Sequence, residues 1–285
     1  MSKIKVSELF YSLQGEGLYV GAPSIFLRTF GCNFQCAGFG MPVGQLSNER
    51  DNVANQISLY NSYAELPLVH TGCDSYASWD PRFKHLSPIR TTDEIAEKIL
   101  ELLPENKWKS EHLVITGGEP LLGWQRAYPD LLKHKDFWHQ LADLTFETNG
   151  TQPISEDLES FLFEEFTRFG KDYDRLTFSV SSKLPCSGEK WEDAIKPDIV
   201  NQYQSIGNTY LKFVVATEDD FADVEHAVKE FREGGFSGEV YLMPVGGTNE
   251  VYTLNNKRVA EHAMKKGWRY SPRLQVDIWR NAWGT

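Results

Sequence analysis

Six short apolar runs, each closing on glycine or a polar turn, limit the folds open to this chain more than any other feature. They are SIFLRTF from Ser24, HLVITGGEP from His112, LTFETNG from Leu144, LTFSVSSK from Leu176, YLKFVVA from Tyr210 and VYLMPVGG from Val240. Each is rich in β-branched or aromatic residues, as strands buried on both faces should be. Between them lie longer amphipathic stretches: TTDEIAEKILELL from Thr91, DLESFLFEEFTRF from Asp157, DDFADVEHAVKEFREGG from Asp219 and NNKRVAEHAMKKG from Asn255. In the first, Ile95, Ile99, Leu102 and Leu103 share one face, and Thr92 or Asp93 can cap its start. Strand and helix in alternation read as parallel βα units. Crossovers of that type are right-handed, so about six in order curl toward a barrel. The expected fold is therefore α/β, a partial (β/α)6 barrel forming a single domain over residues 1–285. One stretch breaks the rhythm. From about residue 40 to 71 the chain is polar, rich in Asn, Gln and Ser and only weakly periodic, and reads as an insertion carrying a loop and one helix.

Charge and cysteine usage narrow the function. With 29 Lys plus Arg against 40 Asp plus Glu, the net charge of −11 repels a phosphate backbone, which disfavours a nucleic-acid coat. The opening MSKIKVSELF lacks the apolar core of a signal peptide, and no run approaches a spanning helix. A cytoplasmic protein is expected, with its thiols kept reduced. Four cysteines in such a chain point to a metal or to catalysis more than to disulfides.

In a parallel βα sheet, ligands meet the carboxyl ends of the strands. Those ends here read GC, GGEP, ETNG, SSK and PVGG. Each has a bland explanation, since glycine makes turns and Glu, Asn, Ser and Lys are common in loops. Five in succession at the same end are harder to explain that way. In GGEP, Gly117 and Gly118 let a ligand approach the backbone, Pro120 ends strand pairing, and Glu119 is expected in a concave site where it can accept from an ammonium group. Glu147 and Asn149, with Ser179, Ser181, Ser182 and Lys183, suit a polar, nucleoside-like ligand. Cys32 and Cys36, with three residues between them, can wrap one face of a metal cluster. Two thiolates do not hold an iron-sulfur cluster or a closed zinc site, so a third or fourth ligand must come from Cys73, Cys186 or, more weakly, His70.

Taken together, these residues resemble the 7-carboxy-7-deazaguanine synthase family of radical S-adenosylmethionine enzymes. The likeness runs through FYSLQGEGLYVGAPSIFLRTFGCN from Phe10 to Asn33, then TGGEP, ETNG, the Ser-Lys turn, LKFVV and the MP turn, in that family's order. Radical enzymes of this kind carry CxxxCxxC, and here Phe39 stands where the third cysteine would fall. The family tolerates insertions in its cluster loop and ends the motif in Cys-Asp-Thr. Cys73-Asp74-Ser75 is similar, which makes Cys73 the third ligand beside Cys32 and Cys36. The resemblance implies a radical S-adenosylmethionine barrel with a 4Fe-4S cluster, S-adenosyl-L-methionine and Mg²⁺. It also implies ring contraction of 6-carboxy-5,6,7,8-tetrahydropterin to 7-carboxy-7-deazaguanine with loss of ammonia, in 7-deazapurine biosynthesis of the queuosine or preQ0 type.

Residue by residue, the resemblance implies that Gln14, Gly15 and Glu16 bind the pterin and Arg28 clamps its carboxylate. Ser75 supports Mg²⁺. Gly117, Gly118, Glu119, Glu147, Asn149, Ser181 and Lys183 hold the coenzyme. A homodimer and an electron donor such as a flavodoxin are the implied partners, with no direct nucleic-acid binding and no membrane. In the tail SPRLQVDIWRNAWGT from Ser271, a strand returning to the sheet is expected, with Trp279 and Trp283 as packing residues. Two other readings compete: another radical S-adenosylmethionine enzyme such as an activase, and a zinc-stapled module without activity.

Overall fold

The computed structural model describes residues 2–109, 111–135, 140–141, 143–168 and 175–285. All six apolar runs form strands: β2 (Pro23–Thr29), β4 (His112–Gly117), β5 (Leu144–Thr148), β6 (Leu176–Val180), β7 (Asn208–Val215) and β8 (Val240–Pro244). They pair in parallel, in chain order. Three further strands extend this sheet: β1 (Lys3–Leu13) antiparallel to β2, β3 (Ile89–Thr91) antiparallel to β1, and β9 (Arg269–Tyr270) parallel to β8. The order β3-β1-β2-β4-β5-β6-β7-β8-β9 leaves an open sheet of nine strands with β3 and β9 at its edges. Yet the Gly17 amide, just past β1, donates to Ser271 Oγ, just past β9, at 2.9 Å. The sheet therefore curls until its two sides meet, as a partial barrel does.

Side-chain alternation splits the sheet into two unlike faces. Ile25 and Leu27, Leu113 and Ile115, Leu144 and Phe146, Phe178 and Val180, Leu211 and Phe213, and Leu242 belong to one large buried core. The helices cover it. They include α2 (Thr92–Leu102), α3 (Tyr128–Leu132), α4 (Glu156–Leu162), α6 (Pro197–Ile206), α7 (Glu218–Glu233) and α8 (Asn249–Lys266), which contribute Ile95, Leu131, Leu158, Val200, Val224 and Val259, and the short α5 (Trp191–Ala194), whose Trp191 packs against the same core. The alternate positions face the barrel interior. Low in the barrel they are packed or mutually satisfied: Phe10, Phe26 and Val114 form a small cluster, and His112 bonds Thr145 at 2.7 Å. Higher up they are Arg28, Thr116, Glu147, Ser179 and Lys212, which line a cavity at the carboxyl ends of the strands. The runs are thus apolar on one face only in their upper halves, a correction to the expectation of strands apolar throughout.

Local chemistry sets the helix ends. Thr91, rather than Thr92 or Asp93, caps α2: its hydroxyl accepts from the Glu94 amide while Glu94 accepts from the Thr91 amide, a capping box. Thr217 and Asp220 do the same for α7. Helix α8 starts earlier than its apolar pattern indicates, and the last residue expected in the helix from Asp157, Phe169, lies outside the described residues. The tail differs from expectation: the strand lies just before it, as β9, and the tail itself winds into α9 (Leu274–Trp279).

The polar insertion holds one short helix, α1 (Glu49–Ala54), and its Val53, Tyr63, Leu66 and Val69 form a small core with Tyr76 and Phe83 of the segment that follows. Trp283 from the tail packs edge-on to Tyr63 with ring centroids 4.8 Å apart and donates its indole N–H to the Leu66 carbonyl at 2.7 Å. Among the described residues, no helix is long and apolar enough to cross a membrane.

Candidate active site

The strand registers bring the loops after β2, β4, β5 and β6 side by side. Arg28 pairs with Thr116 and Thr29 with Gly117, then Thr148 with Val180. These loops, with the end of β7 and the stretches around Gln14, Cys73 and Arg273, enclose a cavity of about 240 Å³. Of the residues expected in a site, Gln14, Gly15, Glu16, Arg28, Cys32, Cys36, Cys73, Ser75, Gly117, Gly118, Glu147, Asn149, Ser181 and Lys183 line it.

At one pole are three thiols. Gly31, with φ +125°, turns the chain at the end of β2, and the Glu119 amide donates to its carbonyl at 2.7 Å. Gly118 must lack a side chain, because a Cβ there would lie 2.5 Å from Gly31 O and 2.7 Å from the Cys32 Cβ. Cys36 sits in the left-handed region at φ +50°, and Glu189 fixes that turn by accepting from the Gln35 and Cys36 amides, each at 2.8 Å. The insertion then leaves and returns within a narrow neck. The Gly72 amide donates to the Phe39 carbonyl at 2.7 Å, so Cys73 comes back beside the position that the shorter motif would give its third cysteine. Glu49 pins the returning strand of the neck, accepting from the His70 amide at 2.7 Å and the Thr71 hydroxyl at 2.6 Å.

Cys32, Cys36 and Cys73 pack in one cluster with Phe34, Phe39 and Ala194. Cys186 is elsewhere, its Sγ 3.6 Å from the Val214 carbonyl, and it does not line the cavity. His70 stands at the rim with its side chain 63% exposed, Nδ1 3.4 Å from a Glu49 oxygen. Burial pushes the Cys32 thiol up to about 12 and raises Cys36 and Cys73 as well, so a positively charged group is needed to draw thiolates from them. Among the described residues, no three His, Cys, Asp or Glu side chains gather closely enough for one metal ion. The thiols stand instead around a shared space, an arrangement suited to a cluster that gives each thiolate its own iron. Ser75 adds a hydroxyl there, 3.5 Å from Cys73 Sγ.

At the other pole is a network of buried charge. Glu16 Oε1 accepts from Arg273 Nε at 3.1 Å and Gln275 Nε2 at 2.8 Å, while Oε2 accepts from Lys212 Nζ. Burial opposes the charge on Glu16, but Lys212 and Arg273 outweigh it and hold the carboxyl below its ordinary range. Burial likewise works against charged Lys212, and Glu16 and Glu147 overcome it. Gln14 bridges the two halves of the site: its Oε1 accepts from the Glu16 amide and its Nε2 donates to Glu147, both at 3.0 Å. Arg28 gives its Nε to Glu8 at 2.8 Å, and no hydrogen bond from its terminal nitrogens is formed among the described residues. Lys183 donates to Ser181 Oγ at 2.9 Å, and Asn149 Nδ2 to Asn33 Oδ1 at 2.9 Å.

Glu119 departs from its expected position. It is fully buried beneath the cavity lining, and its carboxyl accepts from the amides of Leu121 at 3.0 Å and Asn149 at 2.6 Å and from the Thr148 hydroxyl at 2.8 Å. It ties the loop after β4 to the loop after β5, and burial pushes its carboxyl up to about 7. Gly117 and Gly118 line the cavity without it. Sequence reasoning missed Lys212, Arg273 and Gln275. A lysine in the middle of the apolar run YLKFVVA was a readable signal, since a buried cation requires a partner. Arg273 and Gln275 carried none, because they meet Glu16 only through the curl of the sheet.

No family model matches the chain. A 7-carboxy-7-deazaguanine synthase of Halobacterium salinarum is 30% identical over 293 aligned positions, which span 98% of this chain and 91% of the relative. Those of Pyrobaculum aerophilum and Rhodopirellula baltica are 29% and 28% identical, and the matches span 99% and 100% of this chain and 97% and 90% of the relatives. The solved structure of QueE from Escherichia coli superposes with a TM-score of 0.54 at 19% identity, covering 94% of this chain and 93% of that one, a likeness of fold.

Proposed function

The chain belongs to the 7-carboxy-7-deazaguanine synthase family, and we propose on that premise that the cavity at the strand ends contracts 6-carboxy-5,6,7,8-tetrahydropterin to 7-carboxy-7-deazaguanine with loss of ammonia. The enzyme is a radical S-adenosylmethionine lyase of 7-deazapurine biosynthesis whose cofactors are a 4Fe-4S cluster, S-adenosyl-L-methionine and Mg²⁺. One observation carries this reading: a pole of three thiols and a pole of polarised carboxylate and guanidinium groups face the same cavity.

Cys32, Cys36 and Cys73 hold the cluster, which with the coenzyme supplies one-electron chemistry when bound. Gly117 and Gly118 let the methionyl end of the coenzyme lie against the backbone, with Ser181, Lys183 and Asn149 toward its polar groups. Glu119 acts as the brace beneath them. Ser75 would offer its hydroxyl to Mg²⁺, an oxygen ligand of the kind that a hard cation takes. Glu16, already ionised and fixed by three donors, retains lone pairs for the N–H edge of the pterin, and Gln14 and Glu147 extend that acceptor row. Arg28 offers its terminal nitrogens to the substrate carboxylate as a charge-assisted fork. A single domain spanning 1–285, a homodimer in the cytoplasm and a flavodoxin-type electron donor complete the proposal.

Arg28 supplies its test. Arg28→Lys keeps a cation for Glu8 but removes the fork. Losing a charged hydrogen bond of about 1.5–3 kcal/mol should raise KM for the carboxylated pterin by about tenfold or more, with cluster content unchanged. A fall in kcat at unchanged KM would count against the assignment.

A further inference from the structure

The three thiols do not share one environment. Cys32 Sγ accepts from the Phe34 amide at 3.4 Å, with Asn149 Nδ2 more distant at 4.0 Å. Cys73, returned by the insertion, lies 3.4 Å from a side-chain donor, the indole Nε1 of Trp79. That indole is itself covered: the Arg50 guanidinium of α1 sits 5.0 Å from the ring centroid. Arg50 is held there by Asp80, Asp51 and Gln35, with Nε 3.2 Å from Asp80 Oδ2, Nη2 3.2 Å from Asp51 Oδ1 and Nη1 3.1 Å from Gln35 Oε1. The insertion therefore brings back the third thiol just past its end and supplies the cation stacked over that thiol's hydrogen-bond donor.

We propose that Trp79, polarised by Arg50, is a positioning residue that raises the reduction potential of the cluster through its hydrogen bond to Cys73. One-electron reduction by an external donor adds a negative charge shared between iron and thiolate sulfur. An N–H aimed at that sulfur stabilises the reduced form more than the oxidised form. A guanidinium on the ring face draws electron density from the indole and strengthens the N–H as a donor, an effect largest where the stack is shielded from water. Trp79 is half-buried and Asp80 is buried, so the stack is partly shielded. The insertion then sets how readily the cluster accepts an electron, beyond closing the ligand set.

The inference rests on Cys73 being a cluster ligand, and the experiment separates the two. Wild type, Trp79→Phe, Arg50→Met and Cys73→Ala are reconstituted without oxygen with iron and sulfide. Iron content is then measured, and the potential is read by redox titration followed by electron paramagnetic resonance. Trp79→Phe keeps the ring and loses the N–H. It should bind as much iron as wild type, with the reduced-to-oxidised ratio at a fixed potential lowered about tenfold, or about 59 mV for one electron. Arg50→Met should shift the ratio the same way by a smaller factor. An unmoved potential in Trp79→Phe at full iron content overturns the proposal. So does loss of iron from that variant, which would mean that the indole merely holds the loop. A shift in Trp79→Phe with none in Arg50→Met removes Arg50 from the account. A cluster retained in Cys73→Ala overturns the ligand assignment instead.

Discussion

Cys73→Ala is expected to leave a folded chain that neither acquires the cluster colour nor cleaves S-adenosylmethionine. The side chain is small, and it packs at the edge of the cavity rather than in the main core, so its removal costs little stability. Its loss takes away one of three ligands, and two thiolates do not retain a four-iron cluster. Iron analysis and the visible spectrum after anaerobic reconstitution provide the measurement, with Cys186→Ala as the comparison. Cys186 lies away from the cavity against Val214 and should leave iron content at the wild-type level. A cluster that survives Cys73→Ala and fails in Cys186→Ala would reverse the assignment.

Lys212→Met is the second substitution with a large expected effect. Lys212 and Arg273 are the two cations in contact with the Glu16 carboxylate, and all three side chains are largely removed from solvent. Removing one partner leaves a buried charge under-compensated, at a cost of about 3–5 kcal/mol when nothing replaces it. Arg273 and Gln275 remain, so the lower end of that range is expected. The pH dependence has a defined sign. A carboxyl whose folded pKa is depressed stabilises the fold above its ordinary value and loses that contribution as the pH falls through the folded value. Glu16 is of this kind, its burial outweighed by Lys212 and Arg273. The deficit of Lys212→Met should therefore be full at pH 7 and narrow below the ordinary carboxylate value of 4.5, read as urea midpoints of the cluster-free chains. A deficit of the same size at both ends of that range would mean lost packing rather than lost charge.

The sequence disclosed the site at one level and concealed it at another. The six strands were legible because their outer positions, such as Leu27, Ile115 and Phe146, are apolar and β-rich without interruption. The inner face was hidden because its lower positions are also apolar or aromatic: Phe26, Val114 and Tyr210 conceal the period of two that Arg28, Thr116 and Lys212 would otherwise expose. Strand β1 passed unread since it borders the parallel set and carries polar residues on much of its length. The strand expected in the tail was implied by the resemblance alone; it lies just before the tail, as β9, and the tail itself forms α9.

Motif reading found the lining residues but not their partners. Glu119 shows the difference. Its place in GGEP was plain, while the three donors that turn it inward come from Leu121, from Thr148 at the end of the next strand and from Asn149 just past it. The return of Cys73 was legible from Cys73-Asp74-Ser75. The means of that return was not, since it depends on the Phe39–Gly72 hydrogen bond and on Glu49 across the neck.

Whether this mouth performs radical ring contraction of a carboxylated pterin is decided by one incubation. The reconstituted chain is held without oxygen with S-adenosyl-L-methionine, reductant, Mg²⁺ and 6-carboxy-5,6,7,8-tetrahydropterin, and the products are weighed by mass spectrometry. The expected result is 7-carboxy-7-deazaguanine accumulating over many turnovers with release of ammonia. Cleavage of the coenzyme with the pterin left intact would contradict it.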